Sequence, residues 1–183
     1  MIQRDEKLES GSVILRPLVE NDYLSLYPIL SDQETMTFWS TGPHSSPEKT
    51  REDLAKHLNQ SKTHSESTWA ICLNQQVDIC SGWISFFNFR HAMCEVGFVL
   101  DRKFWGRKIM THTLQTAISD GFNRWNLHRI DANLHPENTG SKNLLLRTGF
   151  SIEGHQKQNY YKNGVYEDTL LMGLLRSDLP TSL

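Results

Sequence analysis

Apolar and polar residues alternate along this chain with two periods, close to two and close to 3.6, and the switches between them predict an order of elements. Val13 to Arg16 reads as a short apolar strand ended by Pro17. A helical pattern follows from Asn21 to Leu30, with Leu24, Leu26, Tyr27 and Leu30 at helical spacing. Residues 39–48 are rich in turn formers, and Ser46-Pro47-Glu48 supplies an N-cap, a first-turn proline and an acidic residue for a helix leading to Leu58. Trp69 to Leu73 and Ile79 to Phe89 read as strands joined by a polar turn at 74–78, and Glu95 to Leu100 as a third strand after His91 and Ala92. Three successive strands predict an antiparallel meander.

The strongest helical pattern runs from Lys108 to Trp125, where Met110, Leu114, Ala117, Ile118, Gly121 and Phe122 share one face. Arg129 to Leu134 alternates Ile130, Ala132 and Leu134 as a strand, His135-Pro136 breaks it, and Asn138 opens a helix through Arg147 that Gly149 stops. Phe150 to Glu153 and Glu167 to Leu175 are the last strands, and Asn163-Gly164 between them is a hairpin signal. Helices interleaved with a mixed sheet place the chain in the α/β class. No internal repeat or low-complexity linker divides residues 1–183, so one domain is expected.

With 183 residues and 38% hydrophobic content the chain can bury a real core. A net charge of −2 argues against a general nucleic-acid binder and weakly favours a cationic or amine substrate. Cys72, Cys80 and Cys94 have neither disulfide-framework nor zinc-ribbon spacing, and no two of the eight histidines stand at metal-ligand spacing within a convincing helix. The opening MIQRDEKLES has no apolar core, and no run reaches membrane-spanning length. The expectation is a cytoplasmic protein with no metal, membrane or nucleic-acid partner.

Within this pattern one junction carries candidate chemistry. Val96 to Met110 runs from an apolar strand through a loop bearing Arg102, Lys103, Arg107 and Lys108 into the strongest helix. The first N–H groups of a helix lack intrahelical partners and, with the helix dipole, attract anions, so the junction is a candidate seat for a phosphate-bearing cofactor. Glu95 shares a strand face with Gly97 and Val99. If that face lines a cleft, Glu95 is placed to accept a proton; otherwise it is a solvated strand-end carboxylate. Asn138 with Ser141 at N3 reads equally as an ordinary helix cap.

Four segments, ILRPLVENDYLSLYPIL, CEVGFVLDRKFWGRKIM, NLHRIDANLHPENTGSKNLLLRTGF and FSIEGHQKQNYYKNGVYEDTLLMGLL, together resemble the GNAT superfamily of acetyl-CoA-dependent N-acetyltransferases. The similarity is greatest to the subgroup of ribosomal-protein N-terminal acetyltransferases and its relatives acting on small amines. The family's pyrophosphate loop, R/Q-x-x-G-x-G/A, corresponds to Lys103 through Lys108, with Gly106 as first glycine and Lys108 in place of the second. Its N-x-x-S helix start corresponds to Asn138 and Ser141, followed by Leu144, Leu145, Gly149 and Phe150. The resemblance implies a GNAT fold, a mixed, mostly antiparallel sheet flanked by helices, in a single GNAT domain over 1–183.

It further implies that acetyl-CoA is held by Phe98, Val99, Lys103, Gly106, Arg107, Lys108, Ile109, Met110, Asn138 and Ser141. Asn138 would hydrogen-bond the pantetheine arm, and a backbone N–H near Val99, left free where strands part, would stabilise the oxyanion. Many relatives carry a proton-donating Tyr where this chain has Leu145; Ser141, one turn earlier on the same face, takes that role. Glu95 and Ser141 are thus the catalytic candidates, with Trp39, Glu95 and Tyr160 on the substrate side and Glu167 and Asp168 as alternative carboxylates. The implied reaction is direct attack of a primary amine in a ternary complex. Acceptors would be a protein N-terminus, a polyamine, an aminoglycoside or an amino acid, and the protein a monomer or homodimer. The alternative is a catalytically weak CoA-binding sensor or partner module of the same fold.

Overall fold

The computed structural model describes residues 7–162 and 164–179. Its strands are β1 (Leu8–Ser10), β2 (Val13–Pro17), β3 (Glu66–Leu73), β4 (Gly82–Arg90), β5 (Met93–Leu100), β6 (Arg129–Leu134), β7 (Ser151–Lys162) and β8 (Val165–Leu175). Its helices are α1 (Tyr23–Leu30), α2 (Pro47–Lys62), α3 (Ile109–Arg124) and α4 (Thr139–Arg147). The strands form one sheet in the order β1-β2-β3-β4-β5-β6-β8-β7, antiparallel at every pairing except β5 with β6. The expected α/β fold and meander are both present.

Strand alternation divides the core into two layers. Val13, Leu15, Ile71, Ile84, Phe86 and Ile130 point to the face covered by α3, whose Leu114, Ala117, Ile118 and Phe122 are buried against them. Ile14, Ala70, Cys72, Trp83 and Val99 point to the opposite face, under Leu26 and Leu30 of α1 and Leu54 of α2. Fully burying one such large side chain stabilises by roughly 1.5–3 kcal/mol, so the two layers fix the sheet from both sides. All three cysteines are buried and unpaired.

Three departures from the sequence pattern have physical causes. β1 lies in a polar segment and needs only backbone pairing to β2 across a turn at Gly11, whose φ is +59°. β3 begins at Glu66 rather than Trp69, because Glu66 and Thr68 are polar residues that are nevertheless buried. β7 continues to Lys162, well past Glu153. It is an almost wholly exposed edge strand with irregular register between Gln156 and Tyr160, so it has no apolar period to read. Of the hairpin pair, Gly164 has φ +86°, and Asn163 lies outside the described residues.

Between β6 and β7 an arginine spans three strands. The Arg129 guanidinium passes over Gly173 of β8, bonding Asp131 on its own strand and Glu153 on β7. A Cβ at Gly173 would occupy the space of that guanidinium.

Candidate active site

β5 and β6 pair only through Met93, Cys94 and Glu95 with Arg129, Ile130 and Asp131. Beyond these residues they part, and a cleft of about 1950 Å³ opens between them. The Asp101 N–H donates to the Ser81 carbonyl at 2.8 Å, which continues the β4–β5 register of Gly82 with Leu100. By alternation, the backbone groups of Gly97 and Val99 face β4, whereas those of Val96, Phe98 and Leu100 face the fork. The Leu100 carbonyl accepts the Trp105 indole N–H at 2.9 Å. Both Phe98 and Val99 line the cleft, and the backbone N–H directed into it is that of Phe98 rather than Val99.

The α3 N-terminus stands at one end of this cleft. Gly106 (φ +74°) and Lys108 (φ +60°) are both left-handed, a turn that brings Gly106, Lys108, Ile109 and Met110 into the lining. α3 has no side-chain cap, whereas Ser46 caps α2 and Asn138 caps α4. Its first-turn N–H groups are therefore suited to an anionic ligand. Two expected contributors are directed elsewhere. The Lys103 ammonium lies 2.6 Å from Asp101 and 4.9 Å from the Phe104 ring centre, and the Arg107 guanidinium 6.0 Å from the same ring. Neither Lys103 nor Arg107 lines the cleft. Arg102 is paired with Asp32 and Glu34.

The facing wall is the start of α4. Asn138 Oδ1 accepts the Ser141 N–H at 3.1 Å, so Asn138 caps the helix and lines the cleft at once. Ser141 is half-buried in the same wall, and Leu145, one turn later, is 2% exposed.

At the other end of the cleft aromatic residues predominate. Trp39 and Tyr160 both line it. Trp39 meets Trp83 edge-on at 5.9 Å, and Phe38 stacks on His135 at 5.3 Å. The Tyr160 hydroxyl donates to the Ser40 carbonyl at 2.8 Å and Lys162 Nζ to the Thr37 carbonyl at 2.9 Å, tying the β7–β8 hairpin to the loop after α1. Glu167 and Asp168 lie in the lining. The Gln158 backbone N–H, and then His155, hold the Asp168 carboxyl below its ordinary range.

Glu95 is not part of this lining. It sits where β5 and β6 are still paired, and its carboxylate accepts from Asn88 at 3.1 Å and Asn133 at 3.3 Å, with Arg90 3.6 Å away. The carboxylate that does line the cleft is Glu66. Its side chain is 6% exposed, and its Oε1 receives hydrogen bonds from Thr68 and Ser85 and lies 2.6 Å from His57 Nδ1. Burial raises the Glu66 pKa, but His57 and the two hydroxyls outweigh it and the net shift is downward. Burial likewise opposes a charge on His57, and Glu66 reverses that to a net upward shift. The sequence reading passed over both residues. The signal for Glu66 was the period-two run Glu66, Thr68, Ala70, in which two polar residues share the inward side of the strand with Ala70, whereas nothing in the sequence marked His57.

The sequence from 12 to 151, more than half of the chain, matches the acetyltransferase (GNAT) domain family. A probable N-acetyltransferase, YjcK, of Bacillus subtilis is 36% identical over 100 residues, 53% of this chain and 55% of that protein, so the match spans about half of the relative's length. The [ribosomal protein uS5]-alanine N-acetyltransferase of Escherichia coli is 35% identical over 88 residues, 48% of this chain and 45% of its own. Spermidine N-acetyltransferase from Vibrio cholerae, solved with CoA and spermine, superposes with a TM-score of 0.79 at 22% identity, covering 92% of this chain and 98% of that one. The forked sheet, the uncapped α3 and the matched sequence agree, and the chain belongs to the GNAT family of acetyltransferases, which draw their acetyl group from acetyl-CoA.

Proposed function

We propose that this protein acetylates the α-amino group at the N-terminus of a polypeptide. The observation that carries the reading is the character of the acceptor end: a wide, aromatic-walled cleft in which several acids already have partners. Glu66 faces His57, Asp168 faces His155, and Glu34 faces Arg102. A polyamine carries several ammonium groups and calls for uncompensated carboxylates spaced along its path. A peptide end carries one ammonium on a neutral chain, which suits walls built by Trp39, Trp83 and the Phe38–His135 stack. The uS5-alanine relative acts on a protein substrate. The spermidine enzymes among the relatives supply the competing reading.

Acetyl-CoA, when bound, supplies the acetyl thioester, and the residues present fit it. The α3 first turn with Lys108 suits a diphosphate, while the backbone of Val96 and Phe98 with the Asn138 side chain suits an amide-bearing arm. In this reading the Phe98 N–H supports charge on the acetyl oxygen. Ser141 gives a proton to the departing sulfur, since Leu145 has none to give.

The test is release of free thiol from acetyl-CoA with a panel of N-terminal peptides, spermidine, aminoglycosides and amino acids, with products located by mass spectrometry. The expected result is acetylation of a peptide α-amine with kcat/KM at least about tenfold above spermidine, a preference of about 1.4 kcal/mol. A faster polyamine or aminoglycoside, or acetyl found on lysine side chains, overturns it. CoA binding with no thiol release from any acceptor assigns the chain to the sensor alternative.

A further inference from the structure

We propose that His57 is the base that takes the proton from the acceptor ammonium, and that Glu66 is the positioning residue that orients its ring; this rests on the reading that the protein transfers acetyl to an amine.

The geometry begins with an expensive arrangement. Placing a carboxylate at Glu66, in the interior of the sheet, costs several kcal/mol unless it is fully compensated. Here one oxygen gathers His57, Thr68 and Ser85. A layer so rich in apolar residues gains nothing in packing from this charge. What the charge does is fix an imidazole. With Nδ1 directed at Glu66, Nε2 is the remaining ring nitrogen, and His57 lines the acceptor end of the cleft against Trp83, ring centres 5.1 Å apart.

Strand register links this pair to the fork. Thr68 is opposite Ser85, and Ser85 is opposite Gly97, the residue before Phe98. Adjacent strands lie about 4.8 Å apart, so Ser85, which donates to Glu66, is one strand from the residue that adjoins the opening, and Glu66 itself is two. Gly97 has no side chain, and a Cβ there would approach the Phe87 ring at 3.2 Å. The Phe87 ring takes up that space, and because His57, Ser85, Phe87, Gly97 and Phe98 all line the one cleft, an amine there lies between His57 and the acetyl carbon. Glu95, by contrast, is off the cleft and held by Asn88, Asn133 and Arg90.

The proposed step balances as follows. The Nε2 lone pair of His57 bonds a proton of the ammonium; that N–H bond breaks and its electron pair stays on the amine nitrogen. The amine nitrogen then bonds the acetyl carbon as the C–S bond breaks and the sulfur leaves with its electron pair. The second proton of the attacking nitrogen passes to the Ser141 hydroxyl as that hydroxyl gives its own proton to sulfur, which leaves as the free thiol, and the imidazolium returns its proton to solvent. Around the ring, Glu66 on β3 and Asp53 on α2, 3.9 Å from Nε2, favour the imidazolium, whereas Lys56 on α2 opposes it. His44 adjoins the same Asp53 at 4.0 Å.

The experiment compares H57Q and E66Q with the wild type across pH 5.5–9.5, using the best amine from the panel, with CoA affinity and circular dichroism as controls for folding. H57Q is expected to lower kcat by about 100-fold, the low end for loss of a general base, to leave CoA affinity within twofold, and to replace the His57 limb of the kcat/KM profile with one that follows the titration of the acceptor ammonium itself. E66Q is expected to keep a limb but move it to lower pH. An H57Q enzyme with kcat within threefold of wild type and the limb intact overturns the proposal. Nitrogen-15 NMR of the imidazole, with no acceptor present, separates this failure from failure of the acetyl-transfer reading. A neutral Nδ1–H ring above its titration point is expected in the wild type, and a ring carrying both protons up to pH 9.5, or neutral with its proton on Nε2, overturns the assignment.

Discussion

Lys108 holds a left-handed backbone, φ +60° and ψ 5°, which costs an L-residue about 1–2 kcal/mol and glycine nothing. Lys108→Gly is therefore expected to stabilise the fold by about 1 kcal/mol, raising Tm by roughly 2–4 °C in calorimetry. The same change removes an exposed cation from the α3 end of the cleft, so CoA affinity should fall by no more than about fivefold in titration calorimetry. Ser141→Ala should lower kcat about 10- to 100-fold with little change in KM for acetyl-CoA, measured by thiol release, if its hydroxyl serves the leaving sulfur. Ser141 and Asn138 were legible because a motif carries them. His57 and Glu66 were not, because the polar residues Glu66 and Thr68 interrupt the apolar pattern that marks β3, and the two members of the pair stand on different elements.

That pair also ties α2 to β3, and its pH dependence belongs to the element scale. His57 titrates above its ordinary value of 6.5, so its contribution to stability is complete below that pH and fades as pH rises through the folded-state value. Glu66 titrates below its ordinary value of 4.5, so its contribution is complete above that pH and fades as pH falls through the folded-state value. Thermal melts should show the α2–β3 contribution greatest between about pH 4.5 and 6.5, with E66Q flattening the dependence on both sides. At the sheet's far side, Gly173→Ala should displace Arg129 from Glu153 and destabilise by about 1–3 kcal/mol in urea unfolding. Elements with one apolar face, such as α3 and β6, could be read from periodicity. β1 and β7, held by backbone pairing at exposed edges, could not.

Across the whole molecule, α1 and α2 cover one face of the sheet and α3 the other, and no helix among the described residues is long and apolar enough to cross a membrane. The order of elements in the sequence sufficed to anticipate a mixed sheet covered by helices, but not which helix lies on which face. The fork was legible only through the family resemblance, which implies parting strands near Val99, since nothing in the composition of β5 or β6 records that their pairing stops after three residues. Its consequence is that this eight-stranded sheet has four edges instead of two, the additional pair lying in its middle. Unpaired edges are where sheets open to solvent and to other chains. In hydrogen exchange, the Phe98 amide should therefore exchange like that of an edge residue despite its central place, and the Val99 amide, bonded to β4, should not. A donor whose own amides run along the fork would supply the missing rungs. Adding CoA should slow exchange at Phe98, raise the temperature at which the protein aggregates on heating, and leave the outer edge β7 unchanged, making the molecule least sociable when it is loaded.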